Sequence, residues 1–314
     1  MVGLYLKVCK NILKAIGNTS LVQLNSVVSP NHAKILVKLE WENPTGSMKD
    51  RMAQAMIAEA ERDGRLKKGG TVVEYTGGST GTSLALICAV KGYHLRIVSS
   101  DAFSKDKINH MKALGADMTI VSSKGGGITK ELIEQMIETA RKFSEEPGTY
   151  WTDQLTNQDH VTGYHSLGKE IWEQTERKID SFVQVVGSAA SIKGISTILR
   201  EYNPKVKIIA VEPAESAVLS GGKSGSHGIG GIGIGYIPPI WDSNIADDII
   251  TIPTHEAKKM ARRLAKEEGL FAGTSSGANV AAAIKVAEQL GPKATVVTLM
   301  VDSGLKYLSG DLYK

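Results

Sequence analysis

Seven short runs rich in β-branched residues recur along this chain, and stretches with the spacing of amphipathic helices separate them. The runs are 34–39 (KILVKL), 71–74 (TVVE), 95–99 (LRIVS), 118–122 (MTIVS), 181–186 (SFVQVV), 206–211 (VKIIAV) and 295–300 (TVVTLM). Helices are predicted over 48–63, 80–91, 104–114, 128–143, 160–175, 191–202, 254–268 and 277–290. Strands alternating with helices of this length predict an α/β, doubly wound fold with parallel sheets. Gly64, Gly92 and Gly115 each follow a helical run, where a C-terminal stop belongs. The chain has 314 residues, 42% of them hydrophobic, enough for two domains or one large two-lobed domain. Residues 220–241 break the rhythm: Gly- and Pro-rich and without helical period, they predict a long functional loop.

Several functional classes are disfavoured at once. The net charge is +4, but Lys and Arg are scattered and aromatics make up only 5% of residues. That pattern suits anionic small-molecule ligands and lacks the concentrated basic stripe and stacking platforms of a nucleic-acid binder. The two cysteines, Cys9 and Cys88, form no CxxC unit and no disulfide framework, so both are expected as thiols, Cys88 inside a buried helix. Lys7, Lys10 and Lys14 interrupt any signal-peptide apolar region, and no apolar run approaches the ~18 residues of a membrane span. A cytoplasmic protein without membrane association is expected. The seven histidines show no H-x-H or HExxH spacing, and no metal site is expected.

Lys49 is out of place. It follows a turn-forming cluster in NPTGSMKDR (43–51) and falls in the first helical turn, where the macrodipole disfavours a cation. The same field lowers an amine's pKa, so the position suits a lysine used as a neutral nucleophile. Three small-residue turns also open helices: TGGSTG (76–81), GSAASIKG (187–194) and GTSSG (273–277). Backbone N–H groups at a helix start form an anion site for phosphate or carboxylate. Neither GSAASIKG nor GIGGIGIG (228–235) meets the spacing and context of a P-loop or dinucleotide fingerprint. GTSSG is like a nucleophile elbow centred on Ser275, but no histidine follows His255 to complete a triad.

Taken together, NPTGSMKDR, EYTGGSTGTSLA, VVGSAAS, GLFAGTSSGAN and DSGLKYLS occur in the order of a known group's landmarks. Through them the chain resembles the fold type II pyridoxal-phosphate enzymes of the cysteine synthase and cystathionine β-synthase family. AIGNTSLVQL (15–24), YWTDQL (150–155) and GYHSLGKEIW (163–172) extend the likeness over nearly the whole length. The resemblance implies a two-lobed, tryptophan synthase β-like fold with two doubly wound, mainly parallel sheets. Its smaller lobe would span 41–150, and its larger lobe 1–40 plus 151–314. It implies that Lys49 carries pyridoxal 5'-phosphate as a Schiff base and that Gly187, Ser188, Ala189, Ala190 and Ser191 cup the phosphate. The family usually has GTGGT there, and the two alanines keep the N–H donors while restricting positive φ. Ser303 would face the pyridine nitrogen; Asp302 beside it is the less favoured partner. Thr76, Gly77, Ser79, Thr80 and Gly81, with Gln154, would hold the substrate carboxylate. Ser79 replaces the family asparagine that also contacts the cofactor, and this is the largest departure.

The activity implied is β-replacement on an O-activated L-serine by sulfide or a thiol, with cysteine synthase as the default. β-Elimination, as in a cysteine desulfhydrase or serine/threonine dehydratase, is the alternative. A catalytically quiet relative that binds a ligand or partner is a third possibility, motivated by Ser79 and the cup alanines and opposed by Lys49 and Ser303. A homodimer is implied by the resemblance alone. Eleven residues follow Ser303, so no appended regulatory domain is expected.

Overall fold

The computed structural model describes residues 8–123 and 129–314. Ten strands are present among them: β1 (Leu21–Gln23), β2 (Lys34–Leu39), β3 (Thr71–Tyr75), β4 (His94–Ser100), β5 (Asp117–Val121), β6 (Thr149–Trp151), β7 (Ser181–Val185), β8 (Lys207–Pro213), β9 (Asp248–Ile252) and β10 (Thr295–Met300). The α-helices are α1 (Lys49–Asp63), α2 (Ser79–Lys91), α3 (Lys105–Ala113), α4 (Lys130–Ser144), α5 (Asp159–Thr162), α6 (His165–Gln174), α7 (Ala190–Tyr202), α8 (Thr254–Arg263) and α9 (Thr274–Leu290).

The strands form two sheets, one ordered β1-β2-β10-β7-β8-β9 and the other β5-β4-β3-β6. Every pairing is parallel except β1 with β2. Period-two alternation decides which helices each face receives. In the larger sheet Phe182 and Val297 pack with α6 and α7 residues such as Leu167 and Ile195. Their neighbours Val183 and Val296 point the other way, onto Ala257 of α8 and Ala282 of α9. In the smaller sheet Val72 and Ile97 join Met52 of α1 and Leu84 of α2, while Val73 and Val98 face Met136 of α4. Both sheets are thus covered on two faces, as near-continuous apolar parallel strands require.

Several boundaries differ from those the sequence suggests. The predicted helix 160–175 is two helices, α5 and α6, divided at Gly163, where a Cβ would come within 2.9 Å of the Arg51 carbonyl oxygen of α1. The predicted helix 254–268 changes at Leu264 to a π-turn closed by Gly269 at φ 70°. The turn predicted at 273–277 is already helical from Thr274, with Gly277 pressed against the Ala257 carbonyl. Ser275 lies inside that helix at 2% exposure, which removes the elbow reading. Three strands went unpredicted: β1 and β6 are too short to show a period, and β9 follows an acidic stretch. The start of the helix predicted at 128 lies outside the described residues. Cys88 is buried in α2, and burial pushes its thiol up to about 12.

The 220–241 loop has no regular structure, yet it is anchored. Ile229, Ile232 and Ile240 are buried, and Gly233 N–H donates to the Val186 carbonyl.

Candidate active site

Helix α1 starts where it does because its approach is fastened to the end of β10. Gly46 takes φ 71°, Met48 N–H donates to Val301 O at 3.0 Å, and Ser303 N–H donates to Gly46 O at 3.0 Å. An isolated antiparallel bridge joins Ser47 to Asp302. These bonds bring Lys49, the first residue of α1, beside Asp302 and Ser303. Lys49 is half-buried, and its Nζ makes no hydrogen bond or ion pair with the described residues. Burial pulls the amine down to about 8, while the charge of Asp302 pulls it back up. An amine near neutrality with no partner is a group kept available.

The next two residues are occupied. Asp50 accepts from Thr45 N–H at 2.8 Å and from the Ser83 hydroxyl at 2.6 Å. Arg51 reaches Glu40 at 2.7 Å and Glu170 at 2.7 Å, and Glu170 also meets Lys38 at 2.7 Å. Arg51 and Lys38 hold the Glu170 carboxyl down at about 2 against the pull of burial. This network binds α1 to β2 and α6 within two residues of Lys49.

The 76–81 turn leaves β3 and enters α2. Thr76 Oγ1 accepts from Gly78 N–H at 3.1 Å, and Ser79 is the first helical residue. The N–H groups of Gly77, Ser79 and Thr80 find no acceptor within the described chain. The glycines permit close packing: a Cβ at Gly77 would fall 2.0 Å from Phe103, and one at Gly81 would fall 2.3 Å from Met111 Sδ. The Thr80 hydroxyl donates to Gln154 Oε1 at 2.7 Å, so Gln154 is brought to this turn. Its backbone N–H donates to Glu74 at 3.1 Å, a buried carboxyl that burial raises to about 7. Lys306 Nζ donates to Ser79 Oγ at 3.2 Å.

The 187–191 turn leaves β7 and enters α7. Ala189 has φ 68°, a left-handed conformation, and Ala190 begins a 13-residue helix. The N–H groups of Ser188 to Ser191 have no partner within the described chain, and the helix dipole points its positive end at them. Gly187 has no room for a side chain, since a Cβ would sit 2.7 Å from the Gly231 carbonyl oxygen of the long loop. The Ser191 hydroxyl accepts from Gln184 Nε2. Ser303 caps a short 3-10 helix, Gly304–Tyr307, and its Oγ accepts from Leu305 N–H at 3.3 Å. Asp302 accepts from the Tyr307 hydroxyl at 2.9 Å, and its Oδ1 is buried without a partner.

Sequence reasoning missed two residues here. His160 is fully buried with both ring nitrogens unpartnered, and burial plus the charge of Lys49 lowers it to about 3. No spacing motif marks it. Lys306 is 9% exposed, and its contact with Ser79 spans 227 positions.

A free amine, in a chain that also holds two clusters of unpartnered helix-start N–H groups, suits an aldehyde that carries a phosphate and accepts an amino acid. Comparison with known proteins accords with that chemistry: a family model described as pyridoxal-phosphate dependent enzyme matches residues 12–302. The chain belongs to this pyridoxal-phosphate-dependent family. Cysteine synthase of Staphylococcus aureus is 41% identical over 305 residues, 96% of each chain. The crystal structure of cysteine synthase from Entamoeba histolytica superposes with a TM-score of 0.92 at 38% identity, covering 100% of this chain and 93% of that one. A hydrogen sulfide-producing enzyme from Fusobacterium nucleatum superposes at 0.88 with 36% identity, covering 96% of this chain and 100% of that one. The protein is therefore a cysteine synthase-like, pyridoxal-phosphate-dependent enzyme of the fold type II class. Its donor set fits the cofactor: an unpaired amine for the aldehyde, and unpartnered helix-start N–H groups for the phosphate.

Proposed function

We propose that the enzyme replaces the β-substituent of an O-activated L-serine, O-acetylserine first among them, with sulfide or a thiol. The observation that carries this reading is the unpaired, desolvated Lys49 amine beside Asp302. Lys49 would hold the cofactor covalently, and the N–H groups from Gly187 to Ser191 would take the place of the phosphate's water. Ser303 would offer the pyridine nitrogen a hydroxyl, which does not force that nitrogen to be protonated. Thr76, Gly77, Ser79, Thr80, Gly81 and Gln154 bind the amino acid's carboxylate and so orient its Cα–H towards Lys49. Bound pyridoxal phosphate supplies the electron sink that makes this proton acidic. Lys49, once its amine is free, would take the Cα proton, and the substituent would depart from Cβ with its bonding pair. Once sulfur has bonded to Cβ, Lys49 returns the proton to Cα.

We read 41–150 as a smaller lobe and 1–40 plus 151–314 as a larger one, in a cytoplasmic homodimer. The split into a four-stranded and a six-stranded sheet supports the lobes. The chain's relatedness to cysteine synthases supports the rest, and among the described residues no helix is long and apolar enough to cross a membrane.

β-Elimination is a second reading, favoured by Ser79 and by the likeness to the hydrogen sulfide-producing enzyme. One experiment separates the readings. The cofactor-loaded protein and its Lys49→Ala variant are reduced with borohydride, and the parent is assayed with O-acetylserine, O-phosphoserine, serine, threonine and cysteine, with and without sulfide. Covalent label confined to the parent and cysteine formed from O-acetylserine support replacement; pyruvate as the main product in the presence of sulfide supports elimination. Equal labelling of parent and variant refutes both. A Ser79→Asn variant in the same panel is expected to alter the cysteine-to-pyruvate ratio, and an unchanged ratio removes Ser79 as its determinant.

A further inference from the structure

A lysine ammonium withdrawn from water needs compensation, because losing its hydration is costly and isolated buried cations are rare. Lys306 lacks it. Its side chain is all but buried, yet it makes no ion pair, and its single hydrogen bond among the described residues is the one donated to Ser79 Oγ at 3.2 Å. An ammonium carries three donors, so two remain without a protein acceptor. Asp302 and Asp50 stand near enough to favour its charge but form no contact pair, and Lys107 opposes it. Lys306 also lines a cavity of about 390 Å³ together with Ser303, Thr45 and Gly46, on the Ser303 side of the site. An under-satisfied cation at the head of α2, whose first N–H groups are equally unpartnered, is a charge prepared for an anion.

We propose that Lys306 is a positioning residue for the amino-acid carboxylate, acting through Ser79. The ammonium donates to Ser79 Oγ, so the hydroxyl's own proton is left to point into the turn. There it joins the N–H groups of Gly77, Ser79 and Thr80 in holding the anion. A donor fixed by a neighbouring cation is a stronger one, since charge-assisted bonds exceed neutral ones. The short Ser79 side chain thereby gains the reach and polarity of a longer one, at a position where this chain departs from its relatives' pattern. The proposal rests on the carboxylate site described under Proposed function, and it gives a role to a residue of the DSGLKYLS run that had none.

The test uses cofactor-loaded parent, Lys306→Met, Lys306→Arg, Ser79→Ala and the Ser79→Ala/Lys306→Met double variant. Affinity for O-acetylserine and for the unreactive carboxylate acetate is read by absorbance change and calorimetry. Cofactor affinity of the unloaded proteins and their melting temperatures are measured alongside. Loss of a bond to a charged group corresponds to about ten- to hundredfold in affinity. Lys306→Met is expected to weaken both carboxylates by that factor with cofactor affinity unchanged, and Lys306→Arg to restore most of it. In the Ser79→Ala background the Met substitution is expected to have less than a threefold further effect. Unchanged carboxylate affinity, loss confined to the cofactor, or full additivity of the two substitutions each overturns the proposal. If Lys306→Met fails to fold, the comparison of Ser79→Ala with Lys306→Arg carries the test: equal carboxylate affinity in parent and Ser79→Ala overturns it. A parent that holds cofactor but binds no carboxylate refutes the underlying reading instead, visibly and before any variant is compared.

Discussion

Ala189 is the residue whose conformation most directly opposes its chemistry, and the conflict has a measurable size. At φ 68° a non-glycine residue incurs about 1–2 kcal/mol from the clash of Cβ with the following carbonyl. Replacing Ala189 with glycine relieves that strain. It also removes a methyl from a residue only 2% exposed, at about 0.8 kcal/mol, and loosens the unfolded chain by about 0.5–1 kcal/mol. The three effects nearly cancel, so Ala189→Gly alone is uninformative. Ala190 supplies the reference. It is 1% exposed and helical, so Ala190→Gly loses the same methyl and the same chain stiffness but has no strain to relieve. The difference between the variants therefore isolates the strain, about 1–2 kcal/mol in favour of Ala189→Gly. Unfolding entropy of roughly 2.1 cal/mol/K per residue converts this into a gap of about 1.5–3 °C in melting temperature for a chain of this length. Both variants, free of cofactor, are melted by calorimetry at one scan rate. Equal melting temperatures, or a lower one for Ala189→Gly, would refute the strain argument.

Two titrations are also expected. The Glu170 carboxyl is held at about 2 against an ordinary value of 4.5, so its network stabilises fully above pH 4.5 and loses that contribution as pH falls towards 2. The loss is ~3 kcal/mol; Glu170→Gln should lower the melting temperature at pH 7 and flatten the acid decline, and an equally steep decline in the variant would show that other carboxyls govern it. The Lys49 amine, lowered by burial to about 8, is protonated below that value and nucleophilic above it. Capture of added pyridoxal phosphate by cofactor-free protein should quicken with pH and level off above a midpoint near 8; a midpoint at 10 or higher would show that the amine is not desolvated.

The parts of this fold that were legible in the sequence are those whose signal is local. β-branched runs such as 295–300 declare themselves, and helix ends at Gly64 and Gly92 follow from the left-handed conformation glycine accepts. Lys49 was legible because it contradicts its surroundings, a cation where the helix dipole disfavours one. Features decided by distant packing were not. Nothing between 160 and 175 announces that Gly163 must admit the backbone of α1, and the short β1 exists only because β2 stands beside it. The same limit hid His160 and Lys306. Their interest lies in having no partner, for His160, or too few, for Lys306, once buried, a property of the assembled interior rather than of any run of residues. Ala189 shows the converse: a residue unfavourable by local rules at φ 68° is tolerated because the turn is held from outside, with Gly187 against Gly231 and Gly233 bonded to Val186.

The bonds joining residues 46–48 to 301–303 hold the start of α1 at the meeting of the two halves of the fold. Residues 46–48 are stitched to 301–303 and, through Arg51, to the six-stranded sheet, while Asp50 accepts from Ser83 of α2, which follows a strand of the four-stranded one. A shift of one sheet relative to the other would therefore pull on the bonds at the start of α1 from both sides.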